Sequence, residues 1–174
     1  MIGGYKVFGY GSYIEKTITG LGVHSKLRIR GRFIKIDSWY NKRGQLLVDG
    51  GVAWESANLN TGPLWQETGG CGQVGARVSE ESFDFDATVS HYADSVTLRF
   101  TSTIGTSSGE ANSYWGVNDV SIAPFVEVSS PAPPAPPGIW SNVLYERWPG
   151  ATGWTSNQTL DGSAVTTCGG ELGR

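Results

Sequence analysis

A proline-rich run near the end of the chain restricts the fold more than any other feature of the sequence. Ser129 and Ser130 precede a run from Pro131 to Gly138 that contains five prolines. Each proline fixes its own φ and lacks a backbone donor, so the run is predicted to be a polyproline II rod that buries nothing. Residues 126–138 therefore form a linker between a first part, residues 1–125, and a tail, residues 139–174.

The tail carries apolar and aromatic side chains, but it is too short to build a core of its own. It contains 36 residues, and chains of this size rarely fold without several covalent or metal constraints. The tail must therefore complete another folded body. The residues expected to be buried in that interface are Trp140, Val143, Leu144, Tyr145, Trp148 and Trp154.

Alternating polar and apolar residues predict strands through most of residues 5–125. In residues 26–33 the side chains of Leu27, Ile29 and Phe33 face one side, and four basic side chains face the other. The apolar phase shifts by one at Ile34 and Ile36, which predicts a bulge near Phe33. Residues 83–89 and 96–101 alternate in the same way, and Gly, Asn, Asp and Ser clusters separate the strands. The sequence predicts an all-β antiparallel sandwich.

The composition is typical of an extracellular or cell-surface protein. Charged residues make up 17% of the chain, 25 residues are glycine, and the net charge is −3. This charge provides no basic surface for nucleic acid, and no apolar run approaches the roughly 20 residues that cross a bilayer. Cys71 and Cys168 form a pair by number, for which a disulfide is expected in a secreted chain, with two buried thiols as the alternative.

Four ordered motifs within residues 5–125 resemble the jelly-roll repeats of secreted and surface proteins from protists and bacteria. MAM-like and galactose-binding-like sandwiches end in a similar motif. The motifs are Lys35-Ile36-Asp37-Ser38-Trp39, Leu47-Val48-Asp49-Gly50 followed by Val52 and Trp54, residues 98–103, and residues 111–122. The first motifs of such a repeat resemble Ala151-Thr152-Gly153-Trp154 and residues 166–173 in the tail. Their continuation resembles residues 3–11. The resemblance implies a rotated module whose N-terminal segment lies at the C-terminus.

A rotated module can close in two ways. The tail can fold back onto its own sandwich, or it can complete the sandwich of a neighbouring subunit. A body of about 125 residues is roughly 35 Å across, and a stiff run over 126–138 spans about 40 Å. These lengths favour donation to a neighbour. The sequence then predicts a structural subunit of a head-to-tail extracellular filament, or of a tandem-repeat surface fibre, in which Cys71 and Cys168 pair between subunits.

The tail and the linker also contain candidate glycosylation sites. Asn157-Gln158-Thr159 is an N-glycan acceptor sequence. The linker is mucin-like or hydroxyproline-like, an alternative being a bare linker. Its candidate residues are Ser129, Ser130, Pro131, Pro133, Pro134, Pro136 and Pro137.

Two other kinds of function compete with the filament hypothesis. A carbohydrate-binding or adhesion module with a folded-back tail would present aromatic side chains to sugars, the candidates being Trp39, Tyr40, Trp54, Trp65 and Trp115. Three of these, Trp39, Trp54 and Trp115, stand at motif positions where core packing is the expectation. The resemblance also makes Asp37 and Asp119 calcium candidates. Tyr40, Ser113 and Tyr114 replace acids of the repeat, so no metal and no other cofactor is expected.

No enzyme is expected from the titratable residues. Glu80, Glu81, Asp84 and Asp86 cluster at one strand, where a solvated surface explains them. His24 and His91 have no nucleophile or metal-spacing partner in the sequence, which predicts turn or surface positions for both.

Overall fold

The strands of the chain form two antiparallel sheets and one small pair. The computed structural model describes residues 1–60, 80–106, 112–127, 146–147 and 153–158. Within these residues every regular element is a strand, which confirms the all-β class. The strands are β1 (Ile2–Gly4), β2 (Tyr13–Thr19), β3 (Lys26–Asp37), β4 (Tyr40–Lys42), β5 (Gly44–Val48), β6 (Gly51–Glu55), β7 (Leu59–Asn60), β8 (Glu81–Ser90), β9 (Ser95–Ser102), β10 (Ser113–Phe125), β11 (Glu146–Arg147) and β12 (Thr155–Ser156).

Each of the two large sheets has five strands. The first runs β1-β10-β3-β8, with β11 also paired to β10, and the second runs β12-β2-β9-β5-β6. β4 and β7 form the separate pair. At one side β6 lies against β8, and the Trp54 and Phe85 rings are 5.3 Å apart there. The opposite side is bordered by β10 and β2, and the tail segments lie along these two strands.

Aromatic side chains from both sheets fill the space between them. Phe33 of β3 stacks on Trp115 of β10 with 5.5 Å between ring centroids, and Trp39 meets Phe33 edge-on at 6.1 Å. Phe85 of β8 approaches Phe100 of β9 at 5.5 Å. The inward positions are those that alternation predicts, because successive side chains of a strand point to opposite faces. The core of the sandwich is therefore continuous between the sheets.

The predicted bulge near Phe33 is wrong for β3. Strand β3 pairs with β8 without a shift from Lys26 to Lys35, and the register shift lies in β10 between Asn118 and Ser121, where Asp119 has a φ of 52°. Ile34 and Ile36 are buried on the face opposite Phe33. The apolar phase changes because both faces of β3 are covered beyond Phe33, and alternation requires one exposed face.

The β5–β6 hairpin turns at Asp49 and Gly50, where the sequence predicts a turn. Both residues have positive φ, 49° and 85°, as a tight two-residue hairpin loop of the primed type requires. Gly50 tolerates this conformation because it has no Cβ, and Asp49 is among the side chains that adopt it most readily. The turn brings Asp49 to one end of the sandwich, where it meets a histidine pair.

Candidate assembly interface

The side of the sandwich bordered by β10 and β2 carries incomplete strand edges. Strand β10 has 13 residues and pairs with β3 along one edge. Among the described strands, its other edge is paired only in part, with β1 at residues 115–117 and with β11 at residues 121–122. The outer edge of β2 is paired with β12 at Ile14 and Glu15. An unpaired strand edge presents backbone donors and acceptors that readily bind a further strand. This side is the candidate assembly interface, and two segments of the tail are seated on it.

The first seated segment is β11. It runs antiparallel to β10, with Glu146 opposite Ile122 and Arg147 opposite Ser121. It lies on the same edge of β10 as β1, so the two short strands follow each other along β10. β11 therefore joins the tail to the first sheet only three positions from Phe125, the residue at which β10 ends.

The second seated segment, residues 153–158, is anchored by Trp154. This side chain is 6% exposed, and its ring lies 5.8 Å from that of Phe100 in the core. The Nζ atom of Lys16 lies 6.0 Å from the centre of the same ring, within the range of a cation–π contact. Gly153, at a φ of 75°, turns the chain just before the anchor. Of the six predicted interface residues, Trp154 is the one that lies within the described chain, and it is buried.

Polar side chains after Trp154 bind the backbone of β2 and the residues before it. Thr155 Oγ1 donates to Glu15 O at 3.2 Å, and Ser156 Oγ donates to Tyr13 O at 2.7 Å. Asn157 binds twice: its Oδ1 accepts from Tyr13 N at 2.9 Å, and its Nδ2 donates to Gly11 O at 2.7 Å. The carboxamide of Asn157 thus accepts and donates one hydrogen bond each at this edge, as the backbone of a further strand residue would.

The remaining predicted assembly residues fall outside the described residues. These are the interface candidates Trp140, Val143, Leu144, Tyr145 and Trp148, both cysteines, Cys71 and Cys168, and the linker candidates Ser129, Ser130, Pro131, Pro133, Pro134, Pro136 and Pro137. Trp65, a carbohydrate-binding candidate, also lies outside them.

The other aromatic candidates have structural roles. Trp39 and Trp115 are fully buried, and Trp54 is half-buried between Phe33 and Phe85. Tyr40 is 43% exposed. Core packing at Trp39 and Trp115 is confirmed, so neither ring can stack on a sugar.

The calcium candidates do not come together. Asp37 is fully buried at the end of β3 opposite Ser113, whereas Asp119 lies at the bulge of β10. Within the residues that the structure describes, no group of three or more His, Cys, Asp or Glu side chains could hold a metal ion. Asp37 adopts a φ of 61°, which places it at a sharp change of chain direction before Trp39.

The acidic cluster pairs with the basic row of β3. Asp86 accepts from Arg28 Nε at 2.7 Å and from Arg30 Nε at 3.2 Å, and Asp84 accepts from Arg32 Nε at 3.0 Å. The hydrogen bond from Arg28, together with the charges of Arg28 and Arg30, holds the pKa of Asp86 below its ordinary value. On this exposed face three arginines of β3 and two aspartates of β8 form a ladder of cross-strand ion pairs.

Lys35 is a charged residue that is unexpectedly buried on the core-facing side of β3. It follows Phe33 by two positions on β3, its side chain is fully buried, and its Nζ lies 3.4 Å from Glu81 Oε1. Burial lowers the pKa of Lys35, and the charge and hydrogen bond of Glu81 act in the opposite direction. Burial raises the pKa of nearby Glu80, and the charge of Asp37 adds to the effect. A lysine is ordinarily exposed, and nothing in the sequence analysis predicts that Lys35 is buried.

A histidine pair was missed by the sequence analysis, which placed His24 and His91 at turns or on the surface. Both are buried, and His24 Nε2 lies 2.7 Å from His91 Nδ1. His24 Nδ1 lies 2.8 Å from Gly22 O, and His91 Nε2 lies 3.1 Å from Asp49 Oδ2. Asp49 also accepts from Thr97 N at 2.8 Å. The chain of hydrogen bonds ties three loops together at one end of the sandwich, and a separation of 67 residues hides the pair in the sequence.

Comparison of the chain with protein-family models, curated proteins and solved structures finds no match. Among the described residues no helix is long and apolar enough to cross a membrane. The strands and their pairing define the class as an all-β protein with a sandwich-like arrangement of antiparallel sheets.

Proposed function

We propose that the chain is a structural subunit of an extracellular filament or tandem-repeat surface fibre, in which each tail completes the sandwich of the next subunit. The contact is head-to-tail, and such a contact generates an open filament unless its rotation closes a ring. The subunit's tail acts as the donor, and the edges of β10 and β2 act as the acceptor.

The seats of β11 and β12 support this proposal because a swapped element uses the same contacts in an oligomer as in a closed monomer. In the structure of the single chain, the seats are filled by the chain's own residues 146–147 and 153–158. Donation replaces these residues with the same residues of a neighbour. The contacts of Trp154 and Asn157 are unchanged by the exchange, and only the path of the linker differs.

The position of β11 is the observation that carries the proposal. Glu146 lies opposite Ile122, about 10 Å along β10 from the end of that strand, given about 3.3 Å per residue. A polyproline II rod over 126–138 advances about 40 Å, and the seven residues 139–145 reach back at most about 25 Å. A straight rod with a single bend at Gly138 would fall short of its own β10, so the pairing of β11 with its own β10 in the single chain fits only a linker that does not run straight, whereas donation fits a straight one. A neighbour's β10 is free of this restriction.

Burial of the anchor supplies the driving force. Removing a tryptophan side chain of this size from water is worth about 3 kcal/mol before entropy costs, and pairing the exposed edges adds backbone hydrogen bonds. A stiff linker also lowers the effective concentration of the tail at its own sandwich, so that it favours exchange between chains.

The second candidate is a carbohydrate-binding or adhesion module with its tail folded back. One observation favours it: both described tail segments lie on the chain to which they belong. In that case the linker bends within residues 126–137, and among the described residues the candidate Tyr40 and the exposed rings Tyr10 and Tyr92 are available for sugar stacking.

A cysteine pair across the β2–β12 seam separates the two arrangements. Glu15 and Thr155 are register partners, and directly opposed residues of antiparallel strands have Cβ atoms close enough to be bridged. The double variant Glu15→Cys/Thr155→Cys is oxidised and run on a non-reducing denaturing gel. Donation gives a ladder of covalent oligomers, whereas a folded-back tail gives a single monomer band. The single variants and the parent chain supply the background from Cys71 and Cys168.

Replacing the linker then tests whether its stiffness is what favours donation to a neighbour. Changing the prolines of residues 131–137 to Gly and Ser at constant length makes the linker flexible. We expect the cross-link of the double variant to move from the ladder to the monomer band. A double variant with the original linker that already cross-links quantitatively as a monomer at high protein concentration refutes donation.

A further inference from the structure

We infer that a seated tail and an N-linked glycan at Asn157 exclude each other, so that glycosylation of this residue controls whether the joint can form. The inference rests on the joint of the proposed function. It holds whether the tail on β2 belongs to the same chain or to a neighbour. It adds a chemical switch that the acceptor sequence Asn157-Gln158-Thr159 by itself does not indicate.

The hydrogen-bond partners of Asn157 determine which carboxamide atom is Oδ1 and which is Nδ2. The amide of Tyr13 can only donate, so Oδ1 faces it at 2.9 Å, and the carbonyl of Gly11 can only accept, so Nδ2 faces it at 2.7 Å. A planar carboxamide can meet a donor and an acceptor side by side only through Oδ1 and the Nδ2 hydrogen on the Oδ1 side. The second Nδ2 hydrogen points away, on the Cβ side.

Glycosylation replaces one of these two hydrogens. The transfer forms a bond between Nδ2 and the anomeric carbon of the sugar, and it breaks the bond from that carbon to the diphosphate oxygen of a lipid-linked donor. One Nδ2 proton is released. The product is a secondary amide, and secondary amides strongly prefer the trans form. The sugar carbon therefore lies opposite Cβ, on the Oδ1 side, where the hydrogen bonded to Gly11 O lies in the seated tail.

A sugar at that position lies where Nδ2 now meets the Gly11 carbonyl, 2.7 Å away. The hydrogen bond to Gly11 O is lost, the ring occupies the line between Nδ2 and the Gly11 carbonyl, and Oδ1 is displaced from the Tyr13 amide. The bond from Ser156 Oγ to Tyr13 O is adjacent and depends on the same approach. A glycan-bearing chain consequently keeps residues 153–158 away from β2. A chain seated before modification shields Nδ2 from the transferase.

The test uses the full chain secreted from a eukaryotic host, with glycan occupancy of Asn157 measured by mass spectrometry and amide exchange measured for the peptide containing Tyr13. Chains without the glycan should protect the Tyr13 amide. Chains with it should exchange there about tenfold faster or more, as expected when two hydrogen bonds are removed. Thr159→Ala abolishes the acceptor sequence but keeps Asn157, and it should match the unmodified chain. Asn157→Ala removes the hydrogen bonds to both Tyr13 and Gly11, and it should exchange as fast as the glycosylated chain.

A second readout covers the case in which little glycan is added. Trp154→Ala removes the anchor and should raise the occupancy of Asn157 above that of the parent chain. Equal protection of Tyr13 with and without the glycan overturns the inference, as does equal low occupancy in Trp154→Ala and the parent. Monomeric chains that still lose Tyr13 protection when glycosylated contradict only the proposed filament. Glycosylated filaments in which Tyr13 is protected contradict only the proposal that the glycan and the seated tail exclude each other.

Discussion

Replacement of Trp154 by alanine tests the interface most directly. The side chain is 6% exposed and contacts Phe100 and Lys16. Truncation of a buried tryptophan to alanine costs about 3–5 kcal/mol, which includes the lost aromatic and cation–π contacts. At about 1.4 kcal/mol per tenfold change, the docking equilibrium should fall by a factor of about 100 or more.

The structure indicates that the segment 153–158 cannot remain seated after this loss. Its four side chain–backbone bonds to β2 and the residues before it contribute about 1 kcal/mol each. Trp154 contributes about 3–5 kcal/mol, and ordering six residues costs about 1–2 kcal/mol per residue. The gain of about 7–9 kcal/mol and the cost of about 6–12 kcal/mol nearly cancel. Removal of the anchor leaves the polar contacts unable to offset the entropy.

Amide exchange at Tyr13, together with sedimentation velocity, measures the effect. We expect Trp154→Ala to lose protection at Tyr13 and to lose the assembled fraction. Protection in the middle of β3 should be retained, because that strand is paired on both sides. Gln158→Ala is the matched control, since this exposed side chain lies on the same segment and only its backbone amide is bonded. Unchanged protection and assembly in Trp154→Ala refute the assignment of Trp154 as the anchor.

Three further predictions concern the sandwich itself. Burial lowers the pKa of Lys35 below the ordinary 10.5, so the unfolded chain binds more protons just below pH 10.5. The unfolding free energy of the parent, relative to Lys35→Met, should therefore rise as the pH is raised through that window in urea titrations. Gly44→Ala places a Cβ 2.5 Å from the Phe33 ring and should lower the unfolding free energy by about 1–3 kcal/mol. Replacing His24 or His91 alone by Phe should cost about 1–3 kcal/mol, and the double replacement less than the sum, as measured by a double-mutant cycle.

Each of these predictions has a matched control or a contradicting result. Burial raises the pKa of Tyr114, so the parent's stability relative to Tyr114→Phe should fall as the pH rises above about 10, opposite in sign to the Lys35 effect. Gly51→Ala meets nothing nearer than Val48 O at 3.5 Å and should change the unfolding free energy by less than about 0.5 kcal/mol. Additive costs for the two histidine replacements would show that the rings are not coupled.

The strand pattern of residues 26–33, 83–89 and 96–101 could be predicted from alternation alone. These strands each bury one face, and a period of two in hydrophobicity then reports the face directly. The same reasoning failed at Ile34 and Ile36, because covering of the second face changes the pattern in the same way as a bulge. It also gave no sign of the buried Lys35, since nothing local shows that Glu81 lies opposite.

For the interface too, some features can be predicted from local sequence and others depend on residues far apart in the chain. The sequence predicts that a stiff prolyl segment separates a sandwich from a short aromatic tail, because proline's restriction of φ is local to each residue. The seats of Trp154 and Asn157 depend on Phe100, Tyr13 and Gly11, which are distant in the chain. The histidine pair has the same origin. Such contacts arise only when strand pairing brings remote backbone edges together, so tertiary structure alone determines which side chain closes the sandwich and where it binds.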